Sequence, residues 1–189
     1  MFPLTTEDKR FLLSLARKSL EAAVCLQTVD EPEHIPFPLK KPGSAFVCLH
    51  EHSRLRGCVG YVLPVKPLYR TVMEAAPAAA LNDPRFPRVR PDELPGLEIE
   101  ISVLSAFCEV GAEGIQIGSH GLIVSQGSRR GLLLPQVAVE HSWTAAKFLE
   151  ETCRKAGLPA GAWRRGAKVE AFTAVVFSEL AVMGERAAG

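Results

Sequence analysis

Leu97-Glu98-Ile99-Glu100-Ile101-Ser102-Val103 alternates without a break. Leu97, Ile99, Ile101 and Val103 fall on one side, and Glu98, Glu100 and Ser102 fall on the other. That period of two is the mark of a strand with one face on a core and one face polar. Strands of this kind belong to antiparallel sheets, because parallel sheets are apolar on both faces.

Upstream, 44–50 and 55–62 read as two strands joined by a polar turn, and Pro64 and Pro67 end the pair. The alanine-rich segment 68–81 is helical in character, with Pro77 expected to kink or split it. A breaker segment follows at 82–87, and 92–96 reads as one helical turn and a stop. At the start, Thr5 or Thr6 can cap a helix whose first turn carries Glu7 and Asp8. Leu12, Leu15, Ala16, Leu20, Ala23 and Val24 give it an apolar stripe. Pro32, Pro36, Pro38 and Pro42 then exclude regular structure from about Asp30 to Gly43, leaving a long loop that can overlie a site.

Downstream, 115–117 and 122–124 read as short strands, 126–130 as a turn, and 132–134 as an apolar lead into Pro135. A helix is expected from near Ser142, with Ala146, Leu149, Cys153 and Ala156 on one face. Gly157 is its stop, with Leu158 and Pro159 just beyond. One alternating strand is expected around 169–180. Hairpins with helices before, between and after them predict an α+β fold, mainly antiparallel sheet flanked by helices.

The bulk numbers limit function. With 189 residues the chain suits a single domain over 1–189 and is long enough for a real core. A net charge of +1, from 22 basic and 21 acidic side chains, argues against a nucleic-acid groove. It leaves room for a local basic patch at Arg85, Arg88 and Arg90. No apolar run reaches the roughly 20 residues needed to span a bilayer. MFPLTTEDKR places charges where a signal peptide needs its apolar region. Five widely spaced cysteines, with no Cys-x-x-Cys, suggest neither a disulfide framework nor a thiolate zinc site, and point to a reducing, cytoplasmic setting.

The chemistry centres on 55–61, LRGCVGY. As a regular strand it puts Leu55, Gly57, Val59 and Tyr61 on the core side and Arg56, Cys58 and Gly60 on the other. Arg56 then stands ~7 Å from Cys58, close enough to favour a thiolate and to bind a carboxylate or phosphate. Gly60 is expected to leave an open floor beside the thiol, where a ligand can approach the backbone. The competing reading is a core cysteine, an arginine reaching to solvent and a bulge marked by glycines, and the pattern does not choose between a nucleophile and a binding residue.

Other candidates are weaker. His50 and His52 share a strand face at a spacing a metal can use, but they fall at a turn beside charges, which favours a solvated hairpin tip. Asp83 and Arg85 form a rigid Asp-Pro turn with an acid and a base. Gln136 and Glu140 lie where a loop meets a helix near a possible cleft, beside Trp143. Phosphate-loop, dinucleotide, zinc-protease and serine-hydrolase motifs are absent, so no cofactor and no metal is expected.

LRGCVGY closely resembles the LRGCIG signature of the AMMECR family, protein A of the AmmeMemoRadiSam system. The likeness extends through DPRFPRVRPDELPGLEIEISVLS, LLLPQVAVE and FLEETCRKAGLPAGAW, and so over nearly the whole chain in order. It implies an α+β fold with a larger and a smaller lobe and a cleft to which the signature contributes. It implies Leu55, Arg56, Gly57, Cys58 and Gly60 as the signature residues, with Val59 in place of isoleucine. It also implies a pathway shared with a Memo-type, dioxygenase-like protein and a radical-SAM protein, but no reaction. Two functions follow. One is a binding or regulatory module holding a small anionic or polar ligand, or a partner's segment, at Arg56, Gly57, Gly60, Asp83, Arg85, Gln136 and Glu140. The other is an enzyme in which Cys58 attacks covalently and Arg56 activates it.

Overall fold

The computed structural model describes residues 4–183. Met1, Phe2 and Pro3, on which the reading of MFPLTTEDKR partly rests, lie outside them. The chain divides into two compact units, Met1–Leu104 with Val175–Gly189, and Ser105–Ala174. Each carries one four-stranded sheet, so the fold is α+β, with a larger and a smaller unit.

In the larger unit the sheet order is β2-β1-β3-β8. Its strands are β1 (Ser44–Glu51), β2 (Arg54–Tyr61), β3 (Leu97–Leu104) and β8 (Ala174–Ser178). Two helices cover one face, α1 (Thr6–Val24) and α2 (Leu68–Leu81). Thr5 caps α1 through a reciprocal box: its Oγ1 accepts from the Asp8 amide at 3.1 Å, and the Asp8 carboxylate accepts from the Thr5 amide at 2.9 Å. The expected stripe on α1 is buried at Leu12, Leu15, Ala16, Leu20 and Val24, with Ala22 taking the place of Ala23. β3 behaves as its alternation predicts, with Leu97, Ile99, Ile101 and Val103 in the core beneath the helices. Ser102 is the exception, since it is buried on the polar face with no partner for its hydroxyl among the described residues.

Pro77 does not split α2, which runs unbroken over its 14 residues. The proline removes one N–H from the ladder, while the five alanines at 75, 76 and 78–80 keep that stretch slim and strongly helical. The proline-rich loop is as irregular as expected apart from one 3-10 turn, Phe37–Lys40, which buries Leu39. Glu31 ties this loop to α2 through the Arg70 guanidinium, at 2.9 Å, and the Tyr69 hydroxyl. The C-terminal return is fastened by Arg17. It pairs with Glu179, at the start of α5 (Glu179–Met183), and also donates to the carbonyls of Leu94 and Leu97, while Glu179 accepts from the Ile99 amide at 2.9 Å.

In the smaller unit the order is β4-β7-β5-β6, all antiparallel. The strands are β4 (Cys108–Glu109), β5 (Gly121–Gln126), β6 (Arg129–Leu133) and β7 (Lys168–Phe172). The strand expected at 115–117 does not form: a short 3-10 helix, Ala112–Gly114, is followed by irregular chain and a turn over 117–119. The helix expected from near Ser142 is α4 (Ala145–Lys155), and an additional short helix, α3 (Pro135–Glu140), precedes it. They are separated because Ser142 takes a positive φ of 53° and Thr144 caps α4. At the other end Gly157 works as predicted. It has φ +69°, its amide bonds to the Arg154 carbonyl, and the Leu158 amide bonds to the Cys153 carbonyl, which completes a Schellman stop. The single strand expected at 169–180 is in fact β7 and β8, which belong to different sheets and part company at Thr173.

Candidate functional site

The site begins with the β1–β2 hairpin. Its two-residue turn places His52 and Ser53 at positive φ, 50° and 63°, the backbone that matches strand twist. His52 sits at this exposed tip, as the solvated reading expected. No group of three His, Cys, Asp or Glu side chains among the described residues is placed to hold a metal ion.

From the turn, Glu51 pairs with Arg54 and His50 with Leu55; the register then slips, so that Leu49 pairs with Gly57 and Cys48 with Cys58. Arg56 is the extra residue of a β-bulge. This one insertion corrects three expectations. Leu55 faces the His50 side rather than the core and is 39% exposed. Arg56 leaves the sheet sideways instead of standing beside the thiol. Cys48 and Cys58 meet, bonded as a disulfide with 4.1 Å between their Cα atoms, although sequence spacing suggested no disulfide.

Arg56 is a structural tie. Its Nε and Nη2 donate to both oxygens of Glu93, at 2.9 and 3.2 Å, and its Nη1 and Nη2 reach the carbonyls of Pro87 and Arg88. Its side chain is only 12% exposed. Hydrogen bonding from Arg56 holds the Glu93 carboxyl below its ordinary range, against the opposing pull of burial, and the Arg90 amide assists. Gly57 is the place where α2 crosses β2. A Cβ there would lie 2.1 Å from the Ala79 carbonyl oxygen, so only glycine allows the helix this close. The open floor expected at Gly60 is filled, because the Phe46 ring lies over it, 2.3 Å from where a Cβ would stand.

Asp83 and Arg85 are brought to the same strand. β2 is an edge of its sheet, and an unpaired edge needs covering. Here the Cys58 amide donates to Asp83 Oδ2 at 2.9 Å, and Arg85 Nη2 donates to the Cys58 carbonyl at 3.3 Å. Asp83 and Arg85 also pair with each other, at 3.0 Å through Nε and 2.7 Å through Nη2. The guanidinium holds the buried Asp83 carboxyl well below the usual carboxylate range, overcoming burial, with the amides of Cys58 and Arg85 adding to it. Arg85 remains 52% exposed, and its Nη1 has no hydrogen-bond partner among the described residues.

Gln136 and Glu140 lie on α3 of the smaller unit, the first half-buried and the second exposed. Trp143 is partly buried, stacked on His141 at 4.8 Å between ring centroids and packed towards Phe148. A groove of about 500 Å³ opens in the larger unit beside His50, His52, Glu98 and Leu180.

Three residues at the site escaped sequence reading: Cys48, Phe46 and Glu93. Only the shifted register aligns Cys48 with Cys58; the glycines had offered a bulge as the competing reading, but nothing local places it at Arg56. Glu93 stands 37 residues from Arg56, so nothing in its own neighbourhood announces the pairing.

Comparison with known proteins agrees with this architecture. The AMMECR1 family profile matches residues 13–177. Protein Mbar_A1807 of Methanosarcina barkeri is 40% identical over 96% of this chain and 95% of its own length. Protein TK0174 of Thermococcus kodakarensis is 42% identical over 95% and 94%. The crystal structure of the uncharacterized protein PH0010 from Pyrococcus horikoshii superimposes with a TM-score of 0.85 at 38% identity, covering 89% of this chain and 90% of that one. Fold and sequence together make this chain a member of the AMMECR1 family.

Proposed function

We propose that the chain works as one binding or regulatory module, with its working surface along the outer edge of β2, where it holds a small anionic or polar ligand or an acidic segment of a partner. The observation that carries this is Arg85. Its guanidinium is oriented by Asp83 and the Cys58 carbonyl, yet it is half exposed with Nη1 unengaged. A planar fork fixed on one side and open on the other is suited to a carboxylate or phosphate. Arg88, exposed in the same covering segment, adds positive charge. The family resemblance makes a Memo-type protein and a radical-SAM protein the partners to try first, in the cytoplasm. No helix among the described residues is long and apolar enough to cross a membrane.

The enzyme reading, with Arg56 activating Cys58 as a nucleophile, is less well supported, because Arg56 is turned to Glu93 and Cys58 is bonded to Cys48. Thermal unfolding with inorganic phosphate as probe tests the binding reading. Phosphate should raise the Tm of the native chain in proportion to the logarithm of its concentration once the site fills. Arg85→Gln, checked for an unchanged circular dichroism spectrum, should show no rise. An equal rise in both proteins overturns the assignment to Arg85.

A further inference from the structure

The Cys48–Cys58 pair is more than a consequence of the hairpin. The Cys58 amide points away from β1 to Asp83, so the two cysteines occupy a non-hydrogen-bonded position, where facing side chains come closest. The register is fixed on both sides of them by paired strand residues, and α2 is seated on Gly57. Breaking the bond therefore leaves the two thiols facing each other.

Their surroundings differ. Cys48 is 6% exposed, whereas Cys58 is partly open. Glu100 stands directly opposite Cys48 on β3, and a nearby carboxylate disfavours a thiolate. Arg85 is anchored to the Cys58 carbonyl, but its charge is offset by the Asp83 carboxylate that pairs with it and accepts from the Cys58 amide. Accessibility, together with the carboxylate opposite Cys48, selects Cys58 as the first sulfur to react. Cys25 and Cys108 are exposed and Cys153 is buried, and none of them has a disulfide partner.

We propose that Cys48 and Cys58 form a reversible two-electron dithiol–disulfide couple, in which Cys58 exchanges with the disulfide or dithiol of a low-molecular-weight thiol or partner protein and Cys48 resolves the intermediate. In the oxidising direction the Cys58 thiolate attacks one sulfur of an incoming disulfide. A Cys58–S bond forms, the incoming S–S bond breaks, and one thiolate leaves. The Cys48 thiolate then attacks the Cys58 sulfur, forming the Cys48–Cys58 bond and releasing the second thiolate. Two electrons pass from the cysteine pair to the incoming disulfide, and the two protons end on the released thiols. Reduction by a dithiol is the reverse. Exchange of this kind suits a reducing compartment, where disulfides are transient. It does not require an anion at Arg85.

The test uses the full chain with Cys25→Ser and Cys108→Ser, equilibrated in mixtures of reduced and oxidised glutathione, quenched in acid and weighed intact. The parent should populate only the dithiol and the internal disulfide. Cys48→Ser should accumulate one stable glutathione adduct mapped to Cys58, and Cys58→Ser should take up none at Cys48 without denaturant. If either serine variant fails to fold, the alanine variant replaces it with the same readout. Thiols that stay reduced in excess glutathione disulfide overturn the couple. Absence of an adduct on Cys58, or equal uptake at Cys48, overturns the assigned order.

Discussion

The two sheets solve one packing problem in the same way and then diverge. In each, a helix crosses an edge strand at a glycine: α2 over Gly57 of β2, and α4 over Gly131 of β6, where a Cβ would lie 2.3 Å from the Ala156 amide nitrogen. In the smaller unit little follows from this. β6 carries Arg130 in a loose 3.9 Å ion pair with Glu170. In the larger unit the edge strand also has a bulge at Arg56, a covering segment tied to Cys58 by Asp83 and Arg85, and a cysteine pair on its other face. The glycine is architecture common to both units. What is particular to the larger one lies at Cys58 and its covering residues.

The comparison can be broken most easily at the glycines. Gly57→Ala and Gly131→Ala should each lower stability by about 3 kcal/mol in urea unfolding, because the clashing atoms are backbone. Gly96→Ala, with nothing within 4 Å of its Cβ, should stay within about 0.5 kcal/mol. If Gly57→Ala proves as mild as Gly96→Ala, the close helix crossing is wrong. Next comes Arg56→Ala, which strands the Glu93 carboxylate and two carbonyls and should cost about 2–3 kcal/mol. Arg130→Ala, at the corresponding edge of the smaller unit, should cost at most about 1 kcal/mol. Equal losses would erase the contrast between the two edges.

The smallest effect sharpens the contrast through pH. Asp83 has a depressed pKa in the folded chain, so its contribution is fully present above its unfolded value of about 3.9 and is lost as pH falls towards the lower folded value. Asp83→Asn should therefore be less stable than the parent by about 1–2 kcal/mol at pH 7. The difference should shrink below about pH 4. A gap that does not change between pH 7 and pH 3 would mean that Asp83 is not held as an ion by Arg85.

How much of this was legible in the sequence depends on the range of the interaction. β3 shows in its alternation, α1 in its cap and stripe, and the end of α4 in Gly157, because each is decided by residues a few positions apart. The division of 169–180 into β7 and β8 was hidden, because Thr173 is no turn former and apolar residues continue on both sides. A bulge was legible only as the competing reading of the glycines, because Arg56 looks like any strand residue and its partners lie 31 to 37 residues away. Shifting one residue moved Leu55 to the polar face and aligned Cys48 with Cys58. LRGCVGY drew attention to the segment where the bulge, the cysteine pair and the helix crossing coincide, while the division of labour within it needed three dimensions.

That division is the central claim: Arg56 and Gly57 hold the fold, and the proposed binding and exchange chemistry falls to Arg85 and Cys58. The most direct measurement is the urea midpoint of Arg56→Ala and Cys58→Ser, both fully reduced, against the reduced parent. Cys58→Ser should unfold within about 0.5 kcal/mol of the parent, and Arg56→Ala about 2–3 kcal/mol below it. The reverse order, with Arg56→Ala neutral and Cys58→Ser severely destabilised, would contradict the account.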